Sequence, residues 1–211
     1  MVKVSAADVK ALRAMTGAGP LDCKKALEAN DNDVEKAAEF LRQKGIASAV
    51  KKLGKGRTMN EGLIEIYRHH DGRLGVMVEV NCETDFVAAT EGFQSFAKDI
   101  ALHIVSMNPH YVNREDVPED VVEAEKASLA LLDDLEGKPD NIKEKIVTGR
   151  LEKWYQSIVL MEQEFLKDDS KTIDQLLKET VAELGESIQI SRFSRFVLGD
   201  YGDNDASEDE E

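Results

Sequence analysis

The sequence predicts an α+β protein in which an N-terminal three-helix head precedes a core built on an antiparallel sheet. Three observations lead there. Apolar residues recur at helical spacing through the first 45 positions, and each segment carries its own start and stop signals. The period then changes to alternation at Leu63–Tyr67 and Val76–Val80, on either side of the turn-forming His70-Asp71-Gly72-Arg73. Helical spacing returns from Phe93, and a last alternating run extends from Ile188 to Leu198.

Taken in order, Ser5 with Asp8 resembles a capping box ahead of Val9, Leu12 and Met15, and Thr16-Gly17-Ala18-Gly19 ends that helix. Pro20 suits the first position of a second helix carrying Leu21 and Leu27. The residues Asn30 to Asn32 offer a cap for a third, whose Val34, Ala37, Ala38 and Leu41 share one face before Gly45. Residues 46–61 read as a Lys- and Gly-containing linker with helical character at its start. The expected organisation is a head over 1–55, a core over 56–199 and an acidic disordered tail over 200–211. Within the core, Phe93, Phe96, Ala97, Ile100, Ala101 and Ile104 mark an amphipathic helix that covers one sheet face. Pro118 opens a helix carrying Val121, Val122, Leu129 and Leu132, and Gly137 with Pro139 separates it from one bearing Ile142, Ile146 and Trp154. Thr172 and Gln175 form a second capping box before Ile173, Leu176, Leu177 and Leu184. The last strand is apolar at Ile188 and Ile190 and shifts phase near Arg192-Phe193, which predicts a bulge.

With 42% hydrophobic and 33% charged residues in 211, the chain has the composition of a soluble globular protein. Neither the run of a signal peptide nor that of a membrane span is present in the sequence, so a cytoplasmic protein away from membranes is expected. Cys23 and Cys82 stand 59 positions apart with no CxxC or His-rich neighbourhood, which fits reduced thiols better than a disulfide or zinc site. The net charge of −15 divides as +5 over residues 1–57, −13 over 58–199 and −7 over 200–211. So acidic a surface repels phosphate backbones and argues against direct nucleic-acid binding, while the basic head suits an acidic protein surface.

Few motifs suggest chemistry. Gly17-Ala18-Gly19 joins two helices without a preceding strand, and Gly54-Lys55-Gly56-Arg57-Thr58 lacks the ending that places a hydroxyl on magnesium, so both read as turn or linker. His69, His70, His103 and His110 show no paired-ligand spacing, and no metal is expected. Cys82 reads as a structural thiol at a strand end, and Glu83 with Asp85 as surface charges in preference to an acid/base pair. The segment Asn81-Cys82-Glu83-Thr84-Asp85-Phe86-Val87, between strand and helix, departs from packing logic. Pattern alone favours a buried Phe86, because large aromatics are mostly interior.

The strings TGAGPLDCKKAL at 16–27, NCETDFV at 81–87, GRLEKWY at 149–155 and SKTIDQLL at 170–177 resemble the elongation factor Ts family. The resemblance spans nearly the whole chain apart from the acidic tail, in the compact form of the family with one core subdomain. It implies a ubiquitin-associated-like head, an α+β core and acceleration of nucleotide exchange on elongation factor Tu, met in its GDP-bound and nucleotide-free states. No covalent chemistry and no cofactor accompany that role, and a homodimer is expected to complete the sheet arrangement. By the same resemblance, Thr84, Asp85, Phe86 and Val87 form the exchange segment, with Phe86 solvent-facing. Arg13 and Leu21, with Pro20 in place of a usual methionine and Lys24 beside them, form the head's contact with the GTPase. A second departure is Gln163-Glu164-Phe165, where relatives usually have proline in the middle, so the loop there is expected to run differently. Two rival readings remain: an adaptor on a dimerisation scaffold, and an enzyme using Cys82 or the Glu83 and Asp85 carboxylates.

Overall fold

Ser5 starts the first helix: its Oγ accepts the Asp8 N–H at 3.1 Å and donates to the Asp8 carboxylate at 2.7 Å. The helix, α1 (Ala6–Thr16), ends at Gly17, whose φ of 65° lets its N–H return to the Arg13 carbonyl. Pro20 occupies the first turn of α2 (Pro20–Ala29). These features agree with the sequence reading. The cap of α3 (Val34–Leu53) does not, since Asp33 rather than Asn30–Asn32 accepts the Lys36 N–H, at 3.0 Å. Asp31 and Asn32 are in left-handed conformation, and Asn32 turns its side chain to the Asp8 carboxylate at 2.8 Å. Leu12, Cys23, Ala26, Leu27 and Ala37 form the buried centre of the three helices, with Val9, Val34 and Leu41 packed against it.

A computed structural model of the chain describes residues 4–53, 59–132, 135 and 137–200. The expected boundary at 55/56, the Gly54–Thr58 linker and all but the first residue of the acidic tail lie outside these. The remaining elements are β1 (Glu61–Arg68), β2 (Leu74–Cys82), α4 (Asp85–Ala88), α5 (Glu91–Met107), α6 (Glu119–Ala130), α7 (Asp140–Ile158), β3 (Glu164–Phe165), β4 (Asp168–Thr172), α8 (Ile173–Leu184) and β5 (Ile188–Val197). They build an antiparallel three-stranded sheet ordered β1-β2-β5 and a small antiparallel hairpin, β3-β4. Three helices followed by a sheet core is the α+β arrangement the sequence predicts.

Two compact units divide the chain. The first gathers Met1–Gly62, Asn81–Phe93 and Gln175–Gln189. In it α3 does not stop at Gly45 as the sequence suggests, but continues two more turns to Leu53. Gly45 is there for space: a Cβ on it would stand 3.1 Å from the Ala182 Cβ of α8, closer than side-chain carbons ordinarily approach. Along the same contact Arg42 bonds Glu39 at 2.7 Å and Glu179 at 3.0 Å, and Lys52 Nζ donates to the Gly185 carbonyl.

The second unit comprises Leu63–Val80, Gln94–Asp174 and Ile190–Glu211. Val76, Val78, Val80 and Ile190 are buried on one sheet face, and α5 buries Phe96, Ala97, Ile100, Ala101 and Ile104 at helical spacing. The alternation of β5 slips one place at Ser191-Arg192, where both residues are exposed, which is the place at which the sequence predicts a bulge. The opposite face exposes Ile64, Ile66, Met77 and Phe196, with Arg192 bonded to Glu79 at 2.7 Å. Helix α6 pairs with α7 and has no fully buried residue, though Val122 packs against the Val117, Ile158 and Val159 cluster and Leu129 is half-buried; Leu132, expected in this helix, lies beyond its end. Arg114 organises the base of α7: its guanidinium bonds Glu162 at 2.6 Å and Glu152 at 2.7 Å and lies 4.1 Å over the Tyr155 ring.

The β3-β4 hairpin was not legible, and a buried polar pair holds it. His103 of α5 is fully enclosed; its Nε2 meets Gln163 Oε1 at 2.9 Å, while its Nδ1 accepts the Leu166 N–H at 3.2 Å. Those partners define a neutral ring protonated at Nε2, and Gln163 Nε2 in turn donates to the Ser157 carbonyl at 2.7 Å. Burial holds the His103 pKa below its usual 6.5. The unfolded chain therefore takes up a proton that the native ring resists, so His103 contributes stability that is present above pH 7 and is lost as pH falls through 6.5. Denaturant titrations between pH 7.5 and 5.5 should show stability declining with acid by no more than the one-proton limit of ~1.4 kcal/mol per pH unit, and His103→Gln should lose that part of the slope.

Candidate functional site

Strand β2 ends at Cys82, and two residues later Thr84 turns the chain into α4, a single turn of four residues. Thr84 has extended backbone angles, and its Oγ1 accepts the Val87 N–H at 3.4 Å. Past the turn, Thr90 Oγ1 donates to the Val87 carbonyl at 2.7 Å and accepts the Phe93 N–H at 3.3 Å, starting α5. No residue of α4 is buried. Asp85 is exposed, Val87 half-buried, and Phe86 leaves 82% of its surface in solvent. The pattern-based expectation of a buried Phe86 is thus overturned; a residue on a one-turn connection has no sheet or helix face to turn inward.

What holds so short a turn comes from far along the chain. Both oxygens of Glu186 are engaged by Thr84, its N–H at 3.1 Å and its hydroxyl at 2.7 Å. In the reverse sense the Ser187 N–H donates to Glu83 Oε1 at 2.9 Å. Sequence reasoning missed Glu186, because nothing local in Gly185-Glu186-Ser187 reveals a partner about a hundred residues earlier. Cys82 is buried, its Sγ donates to the Thr84 carbonyl at 3.1 Å, and burial raises the thiol's pKa. A protonated, enclosed thiol is a poor nucleophile, and the Glu83 carboxylate is occupied by a backbone donor, so neither has the setting of a catalytic group.

The head residues singled out from the sequence, Arg13, Pro20, Leu21 and Lys24, are all exposed at the end of α1 and the start of α2. Leu21 is 74% exposed, and Lys24 makes a long 3.8 Å pair with Glu28. Met15, assigned from periodicity to the inner face of α1, is instead 62% exposed on the turn before Gly17, so it adds apolar surface to the same end of the head. Both sets, 84–87 and 13–24, belong to the same compact unit. Among the described residues no group of three or more His, Cys, Asp or Glu side chains could hold a metal ion, and no helix is long and apolar enough to cross a membrane.

Residues 9–200 match the family model described as Elongation factor TS, which places the chain among the translation elongation factors. It is 53% identical to Elongation factor Ts of Caldanaerobacter subterraneus subsp. tengcongensis, over 93% of this chain and 98% of that protein. It is 54% identical to Elongation factor Ts of Carboxydothermus hydrogenoformans over 91% of this chain and 88% of that one. With Elongation factor Ts of Geobacter sulfurreducens the identity is 50% over 94% and 91%. The chain belongs to the elongation factor Ts family.

The burial of both thiols has a direct test. Cys23 and Cys82 should react with an aromatic disulfide reagent at least about a hundredfold more slowly than a free cysteine while the protein is folded, and fully once it is unfolded. A fast-reacting thiol in the native protein would restore Cys82 as a nucleophile.

Proposed function

We propose that this chain is a guanine-nucleotide exchange factor for elongation factor Tu, working in the cytoplasm by contact alone and breaking no covalent bond. The observation that carries this reading is Phe86, an aromatic side chain held in solvent on a turn whose backbone is pinned from elsewhere in the same unit. A large exposed aromatic on an ordered element is the usual anchor of a protein interface, contributing ~2 kcal/mol or more when a partner pocket desolvates it. Asp85 beside it supplies a charged acceptor that orients the approach, with Thr84 and Val87 setting the turn.

A GDP and magnesium site depends on many oriented contacts at once, so an apolar wedge that displaces one element of the GTPase weakens phosphate and metal coordination together. By linkage, the factor by which the exchange protein weakens nucleotide affinity is the factor by which nucleotide weakens the exchange protein's own hold. The cycle therefore runs from the GDP-bound GTPase through a nucleotide-free complex to release by incoming nucleotide. Arg13, Pro20, Leu21 and Lys24, with Met15 added, form the head's contact. The acidic balance of the chain disfavours direct nucleic-acid binding.

The exposed apolar sheet face supports a homodimer. Ile64, Ile66, Met77 and Phe196 lie exposed on one face of adjacent strands beside the Arg192–Glu79 pair, a grouping of large apolar side chains that favours covering by a partner. A second copy offers a matching face by symmetry.

Release of labelled GDP from purified elongation factor Tu tests the first claim. The protein should accelerate it strongly, and Phe86→Ala should lose about thirtyfold of that acceleration, the equivalent of ~2 kcal/mol; equal release with and without the protein rejects the exchange reading and leaves the adaptor. For the second claim, light scattering should report a dimer for the parent and a monomer for Ile66→Lys, which places a charge in the middle of the face.

A further inference from the structure

A helix of one turn is far too short to be stable by itself, and α4 has no buried side chain to hold it down. Its order must come from the polar bonds at its two ends, Thr90 on the Val87 carbonyl at the finish and Thr84 at the start. At the start the bonds converge on one residue: the two oxygens of Glu186 take the N–H and the hydroxyl of Thr84, at 3.1 and 2.7 Å. Because the Thr84 hydroxyl spends its proton on Glu186, its lone pairs are turned toward the Val87 N–H that it caps. The Ser187 N–H to Glu83 Oε1 bond at 2.9 Å crosses in the other direction, so the chain at 186–187 and the chain at 83–84 are tied by reciprocal contacts on either side of the turn. Charge-assisted bonds of this kind, partly shielded from water, are about twice as strong as neutral ones.

We propose that Glu186 is a positioning residue for nucleotide exchange, acting through Thr84 to hold Phe86 in the orientation that engages the partner. The inference rests on the reading of Phe86 as the exchange wedge. Without the carboxylate, Thr84 keeps its place in sequence but not its fixed rotamer or N–H partner, and α4 samples other conformations. The complex still forms through the head, while Phe86 enters its pocket for only a fraction of the time.

The measurement is stopped-flow release of fluorescent GDP from elongation factor Tu over a range of concentrations of the full-length parent, Phe86→Ala, Glu186→Ala and Glu186→Gln. For Glu186→Ala the maximum rate should fall about tenfold with the half-saturating concentration changed by less than about twofold. Glu186→Gln, which keeps one acceptor oxygen, should fall between it and the parent, at about threefold. Hydrogen exchange at the Thr84 and Val87 amides should quicken in both variants. A variant that had merely lost part of its folded population would do the opposite, keeping the parent maximum and raising the half-saturating concentration; that result, or a parent-like maximum in Glu186→Ala, overturns the proposal. Should Glu186→Ala not fold, Glu186→Gln decides by the same criterion. If Phe86→Ala is itself as fast as the parent, the wedge is wrong and the positioning role goes with it; if Phe86→Ala is slow and Glu186→Ala is not, only the positioning role fails.

Discussion

An apolar ring can be kept in water only if its backbone is held by something other than the ring's own burial. That constraint shapes the region from Cys82 to Phe93. The hydrophobic effect draws Phe86 inward with a preference worth roughly 2 kcal/mol for a full burial, and a single helical turn offers little resistance to such a collapse. Polar contacts at its two ends supply the resistance: Glu186 on Thr84 at the start and Thr90 on Val87 at the finish. The buried Cys82, at the end of the strand, adds a contact from its Sγ to the Thr84 carbonyl. The exposed aromatic is thus a consequence of hydrogen bonding around it and not of any property of the side chain.

The chain gathers these contacts from three separated stretches. Residues 81–93 contribute the turn, 175–189 the carboxylate, and 1–62 the head and its long third helix, and all fall in one compact unit. The exposed residues of the turn and those at the end of the head thus belong to a common frame, although 60 or more positions separate them in sequence.

Much of this architecture could be read from local sequence. Ser5 as a cap, Gly17 as a stop, Pro20 as a start and the alternating runs of β1 and β2 are decided by neighbours within a few residues, and each stands where expected. The failures share a different origin. Gly45 reads as a helix stop, yet its lack of a side chain answers to Ala182 of α8, a contact that local patterning cannot register. His103 shows no role in the local pattern because its partner Gln163 is 60 residues away. Met15 falls on the apolar period of α1 but stands outside the buried cluster of its own three helices. For Phe86 the connection position and the neighbouring Asp85 point outward while the frequency of buried aromatics points inward, and likeness to a family tips the balance; Glu186 is not legible at all. Long-range polar pairing and close backbone approach leave no periodic trace, which is why the fold was readable while its clamps were not.

The unbroken run of α3 from Val34 to Leu53 has a structural meaning. Its first turns seal the head's core, and farther along it lies against α8 through Gly45, Arg42 and Lys52, the last of these reaching the residue directly before Glu186. One helix thus packs in the buried centre of the head at its first turns and meets, at its last turn, the segment that carries Glu186, so the head and the loop bonded to Thr84 share a single continuous element.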